Sequence, residues 1–127
     1  MALPANAQVE AAPNFLANLN AARQFFLLQD ATTAETRFSQ LKGELREMIA
    51  ILAWSPASGR PARFLTTQAA QTRRKAAAVQ QLAAQAGLPA LREYVTDQHL
   101  VLYAHSDTEV VLLALKHQRE LIYSAEG

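Results

Sequence analysis

The amino-acid sequence predicts an α+β fold in which an N-terminal helical hairpin packs on a small antiparallel sheet. Two observations carry this. Apolar residues recur at helical spacing from Phe15 to Leu52, and from Leu91 onward the period shortens to that of strands. Between the two regimes, Ser55 to Pro61 holds two prolines and a glycine, which a helix interior would not tolerate. Helices first and strands afterwards is the pattern of the α+β class.

Taken in order, Gln8 to Ala11 alternates weakly and stops before Pro13, which predicts a short first strand. Asn14 is a candidate cap for a helix whose apolar residues are Phe15, Leu16, Leu19, Ala22, Phe25 and Phe26. Thr32 and Glu35 stand at capping-box spacing before a second helix, with Phe38, Leu41, Leu45, Met48, Ile49 and Leu52 on one stripe. A short link between two such helices predicts an antiparallel hairpin. Thr66 to Ala86 is rich in alanine and glutamine and is followed by Gly87 and Pro89, so an extra helix with a thin apolar stripe is expected over 66–86. The runs Leu91–Val95, Leu100–Ala104 and Val110–Leu115 are β-rich and are separated by turn residues at Asp97-Gln98 and Ser106-Asp107-Thr108. Val110–Leu115 is almost wholly apolar, as a strand covered on both faces would be. The expected order is β-α-α-[extra α]-β-β-β in one domain over 1–127.

Composition narrows the function classes. A chain of 127 residues, half of them hydrophobic, can bury a core without metals or disulfides. It has no cysteine, which excludes thiolate ligands and a cysteine nucleophile and accords with a reducing compartment. Met1 to Ala12 lacks a basic stretch followed by an apolar one, and no apolar run reaches a membrane span of roughly 18 residues, so a cytoplasmic location is expected. A net charge of +1 argues against a protein that binds by wide phosphate neutralisation. The charge is unevenly spread: Arg60, Arg63, Arg73, Arg74, Lys75 and Arg92 fall in a stretch without Asp or Glu. That stretch is either a solvated face or a surface for an acidic partner. There is no Gly-rich phosphate loop, serine triad or paired-carboxylate motif, and no metal site or cofactor is expected.

Three segments taken together resemble one family. Phe38–Arg63 (FSQLKGELREMIAILAWSPASGRPAR) is similar to a second helix followed by a P-x-x-G-R-P loop, Leu91–Tyr103 (LREYVTDQHLVLY) to a central hairpin, and Val110–Tyr123 (VVLLALKHQRELIY) to a buried final strand running into a His-x-Arg segment. In this order they resemble the RelE/ParE toxins of bacterial type II toxin–antitoxin systems, especially the ParE-like branch that includes plasmid stabilisation toxins. The 66–86 helix departs from compact members, which have a shorter link there.

The resemblance implies a toxin held inactive by a cognate antitoxin in a hetero-oligomer, and it leaves two targets open. One is DNA gyrase, inhibited by a binding module. The other is the ribosome and its mRNA, cut by an endonuclease that needs a proton acceptor, a proton donor and cations at the scissile phosphate. For the nuclease the candidates are Arg92, Lys116, His117, Arg119 and Tyr123. Arg119 matches a basic residue after the nucleases' final strand, Tyr123 matches their tyrosine only across a gap, and the basic residue early in their third strand is replaced by His99 or Leu100. The near-neutral charge also tilts the reading toward gyrase. Target contact is then expected at Arg60, Lys116, His117 and Arg119, and antitoxin contact at Arg73, Arg74 and Lys75. A non-toxic interaction domain of the same fold is the third possibility. Plainer roles stand beside these: Trp54 and Tyr94 as packing aromatics, His105 as a hairpin-end residue, Arg60 as a helix cap or loop tie, and Lys116 and His117 as solvent-facing strand ends.

Overall fold

The computed structural model describes residues 6–62, 77, 81–82 and 84–119. Strand β1 (Gln8–Ala11) leads into helix α1 (Pro13–Gln29), which turns back as α2 (Ala34–Trp54). A 3₁₀ turn at Pro56–Ser58 precedes a two-residue strand β2 (Arg60–Pro61), and β3 (Ala90–Val95), β4 (His99–His105) and β5 (Glu109–His117) complete the sheet. The five strands lie in the order β1-β5-β4-β3-β2. The architecture is α+β, with the helical hairpin on one face of a mixed sheet.

The sheet is not wholly antiparallel as expected. The β3–β4 and β4–β5 pairs are antiparallel, joined by the turns at Asp97-Gln98 and Asp107-Thr108, but β1 pairs with β5 in parallel, Gln8 opposite Glu109 through Ala11 opposite Leu112. Only a tight turn forces neighbours to run in opposite directions, and β1 reaches β5 through the whole intervening chain. The Gly59-Arg60-Pro61 segment, expected to be loop, adds an edge strand beside β3. Proline is tolerated there because an edge needs no second ladder donor.

The hairpin's core face is close to that expected. Phe15, Phe26, Leu41, Leu45, Met48 and Leu52 are buried against Val101, Tyr103, Val110, Leu112 and Leu115 of the sheet. Burying each of the larger side chains contributes about 1.5–3 kcal/mol. Leu16, Phe25, Ile49 and Trp54 depart from expectation and are exposed, Trp54 at 73%. Trp54, expected as a packing aromatic, is the last residue of α2 and lies off its apolar stripe. The sheet's other face carries a second core of Ala62, Leu100, Leu102, Ala104, Leu113 and Ala114, with Ala86 and Leu88 against it.

The helix starts differ from the expected caps. Asn14 lies inside α1, which begins at Pro13 after Ala12. Thr33, not Thr32, precedes α2, and neither position makes a side-chain cap bond. The Thr32 amide and hydroxyl instead donate to Asp30 Oδ1 at 3.0 and 2.6 Å, an Asx turn that holds the Asp30 carboxyl below the usual carboxylate range. Glu35 faces Arg23 across the hairpin at 2.9 Å. The described positions of the expected 66–86 helix, Ala77, Gln81, Leu82 and Ala84–Ala86, are helical, and Gly87 at φ +67° ends it. No described helix is long and apolar enough to cross a membrane.

Asn14 and Asn18 hold α1 to the sheet. Asn14 Nδ2 donates to the Leu113 carbonyl at 3.0 Å, and Asn18 Oδ1 accepts the Leu115 amide at 3.0 Å. These groups lie on β5 just past Leu112, where β1 ends, beside an irregularity in the β4–β5 register between Leu102 and Tyr103. One helical turn of asparagines thus continues the ladder that β1 leaves off. Replacing either by alanine leaves a buried backbone group unpaired, so Asn14→Ala and Asn18→Ala are each expected to lower unfolding free energy by about 1–3 kcal/mol in urea titrations. A change below about 0.5 kcal/mol in both would refute this role.

Candidate functional site

The residues singled out in the sequence lie in two separate places. At one end of the sheet the G-R-P loop is fastened to β3 and β4. Gly59 N–H donates to the Tyr103 hydroxyl at 2.9 Å, and that hydroxyl donates to the Pro56 carbonyl at 2.7 Å. Arg92 Nη1 donates to the Gly59 carbonyl at 3.0 Å, and Arg92 Nε to His105 Nε2 at 3.1 Å. His105 Nε2 must therefore accept, which places the ring proton on Nδ1, 3.0 Å from the Ser106 carbonyl. The network is internally satisfied. Burial pushes the Tyr103 hydroxyl's pKa up, which keeps it protonated for its bond to Pro56.

Arg92 thus ties the loop through hydrogen bonds. Arg60, expected to cap the helix or tie the loop, also joins it to the sheet, facing the buried Glu93 of β3 with Nε to Oε1 at 3.5 Å, an ion pair without hydrogen-bond geometry. Glu93 is only 2% exposed. His105 does sit at a hairpin end, but as the acceptor of Arg92. Tyr94 packs against the main core, as an aromatic of the hairpin was expected to.

At the opposite end lie His99 and His117, directly across from one another on β4 and β5. Their rings meet edge-on at 5.2 Å, and His99 meets Phe26 at 6.4 Å. Tyr103 stands four positions along β4 from His99, about 13 Å of strand. Lys116 does not face solvent: it is 7% exposed and alternates to the other face of the sheet from His117. His117 is half-buried rather than free, and its Nδ1 accepts the Arg119 amide at 3.1 Å. Arg119 itself is exposed. Arg92, Lys116 and His117 are therefore divided between the ends and faces of the sheet. Tyr123, Arg73, Arg74 and Lys75 lie outside the described residues.

Beside His99 a cleft of about 490 Å³ opens between α2 and the β3–β4 turn, lined by Phe26, Arg37, Glu44, Glu47, Asp97 and His99 among others. Sequence reasoning missed its helical wall. Glu44 and Glu47 flank the apolar stripe of α2, where acidic residues read as an ordinary solvated face. Burial raises the Glu44 pKa, and the carboxylates of Asp97 and Glu47 add to that rise. Burial, with electrostatic repulsion from His117 and Arg37, pushes the His99 imidazole down to about 4. His99 is 5% exposed, and its Nδ1 is buried without a hydrogen-bond partner. Among the described residues no group of three metal-ligating side chains occurs.

Two measurements follow. A Cβ on Gly59 would stand 2.5 Å from the Glu93 carbonyl and 2.6 Å from the Tyr103 hydroxyl, so Gly59→Ala is expected to destabilise by about 2–4 kcal/mol and Tyr103→Phe by about 1–3 kcal/mol in chemical denaturation. A fully stable Gly59→Ala protein would contradict the close packing of the loop. The second measurement concerns pH. The folded protein keeps His99 neutral down to about pH 4, whereas the unfolded chain protonates it near 6.5. Stability contributed by neutral His99 is complete above about 6.5 and is lost as the pH falls toward 4. The stability advantage of the native protein over His99→Gln is expected to shrink by about 2–3 kcal/mol from pH 7 to pH 4. A difference constant across that range would disprove it.

No family model matches this chain, and no curated protein sequence matches it.

Proposed function

We propose that the protein is a ParE-like toxin of a bacterial type II toxin–antitoxin pair, a cytoplasmic binding module that inhibits DNA gyrase and is neutralised by a cognate antitoxin. The toxin reading is supported by the order of the elements: α2 runs into the P-x-x-G-R-P turn, a hairpin follows, and a buried last strand ends in His117-Gln118-Arg119. The choice of gyrase over mRNA rests on one observation. Arg92 is engaged at one end of the sheet, Lys116 is buried on one face, and His117 and Arg119 stand at the other end. General acid–base cleavage needs its groups within hydrogen-bond reach of one phosphate. Protein docking does not. The net charge of +1 agrees, because entry into an RNA-rich site calls for more cations.

Arg119 is the basic residue best placed to touch a target, being exposed at the strand end. Induced expression without an antitoxin should arrest growth with DNA-damage signalling, and the purified protein should inhibit gyrase supercoiling. Arg119→Ala is expected to weaken that inhibition roughly tenfold with no loss of fold. Cleavage of ribosome-bound messages with gyrase unaffected would replace this reading with the ribonuclease. Normal growth on verified expression would leave a non-toxic interaction domain.

A further inference from the structure

The cleft beside His99 holds three carboxylates and one guanidinium, and the Glu44 carboxylate accepts a hydrogen bond from the Asp97 backbone. Glu44 and Glu47 line it from α2, and Asp97, Gln98 and His99 line it from the β3–β4 turn. None of the three carboxylates forms an ion pair among the described residues. Arg37 is the one cation in the lining, and it is already engaged: Nη1 donates to Gln29 Oε1 at 2.8 Å, and the guanidinium lies 4.3 Å from the centre of the Phe26 ring, which also lines the cleft. The lining thus holds two more negative charges than positive ones, with neutral His99 between the two walls.

Two further observations point to an occupant. His99 is 5% exposed and lines the cleft, yet its Nδ1 is left without a hydrogen-bond partner, which a buried polar atom rarely tolerates. Gly43, also in the lining, sits inside α2, where glycine is less favourable than alanine by about 1 kcal/mol. No tertiary packing calls for it, since a Cβ there would meet nothing within 4 Å. Its missing side chain leaves the cleft open.

We propose that this cleft is a binding site for a guanidinium group. Guanidinium carries five N–H donors in a planar fork and no acceptor, so it can bridge carboxylates on α2 to acceptors on the turn. It is also less strongly hydrated than an ammonium ion and loses less on entering a half-buried site. The source is either a free arginine-like molecule or an arginine side chain of a partner protein. The site does not rest on the toxin reading, and its test needs neither gyrase nor an antitoxin.

The experiment is an NMR titration of the full-length protein with methylguanidinium, followed at the amides of Gly43 and Gln98 and at the His99 ring, with equal sodium chloride as the control. Saturable shifts with Kd of roughly 1–10 mM are expected, with methylammonium binding more weakly. Glu44→Gln with Glu47→Gln should weaken methylguanidinium roughly tenfold or more. Gly43→Gln fills the open space without strain and favours the helix, so it should abolish binding while the protein stays folded. Free L-arginine and a capped Gly-Arg-Gly peptide distinguish the sources: tighter binding of the free amino acid indicates a small-molecule site, and tighter binding of the capped peptide indicates a protein partner. Shifts that do not saturate, that sodium chloride reproduces, or that persist in Gly43→Gln would overturn the proposal.

Discussion

Strand β5 must be covered on both faces and paired along both edges, and most of the architecture answers that requirement. Its run from Val110 to Leu115 offers almost no polar side chain to water. Along one edge β4 pairs with it from His105 down to His99; along the other, β1 pairs only as far as Leu112. A backbone amide and carbonyl left unpaired beyond that point would be costly in a buried strand. Asn14 and Asn18 supply the missing partners, which explains why α1 begins directly after β1 and lies along β5. The hairpin's orientation follows, because α2 packs where α1 and the sheet leave an apolar surface.

The alternation of β4 then distributes chemistry between the two faces. Val101 and Tyr103 enter the core beneath the helices, and Leu100, Leu102 and Ala104 enter the second core. Tyr103 joins core to loop: its ring is fully buried, and its hydroxyl both accepts from Gly59 and donates to Pro56. Arg92 closes the arrangement from the neighbouring strand. An arginine that reads in the sequence as an available cation is therefore a structural tie. A glycine that reads as a turn former is required because two neighbouring groups approach too closely for a Cβ.

Strand length separates these groups from the histidines. His99 and His105 bound the same strand, so the Arg92 network and the His99–His117 pair occupy opposite ends of the sheet and do not act on one small ligand. The helical hairpin covers the sheet only partly, and past its edge α2 faces the β3–β4 turn across the open cleft. There Asp97 comes near enough to Glu44 for its charge to raise the Glu44 pKa, although 53 positions separate them in the chain.

The sequence by itself determined the elements: β1 to the residue, two helices with their main stripe, and three final strands within two residues of where they lie. These are local matters, set by periodicity of 3.6 or 2 and by turn residues such as Asp97-Gln98 and Gly87. It also marked Phe15, Leu41, Leu45, Met48 and Leu52 as core, because position on a stripe predicts burial wherever another layer covers it. Tertiary structure alone decided the rest: the parallel β1–β5 pair, the exposure of Trp54, the burial of Lys116, the hydrogen-bonded loop tie at Arg92, and the cleft between Glu44, Asp97 and His99. Each depends on which segments meet across long stretches of chain, and a pattern that repeats every few residues carries no information about that.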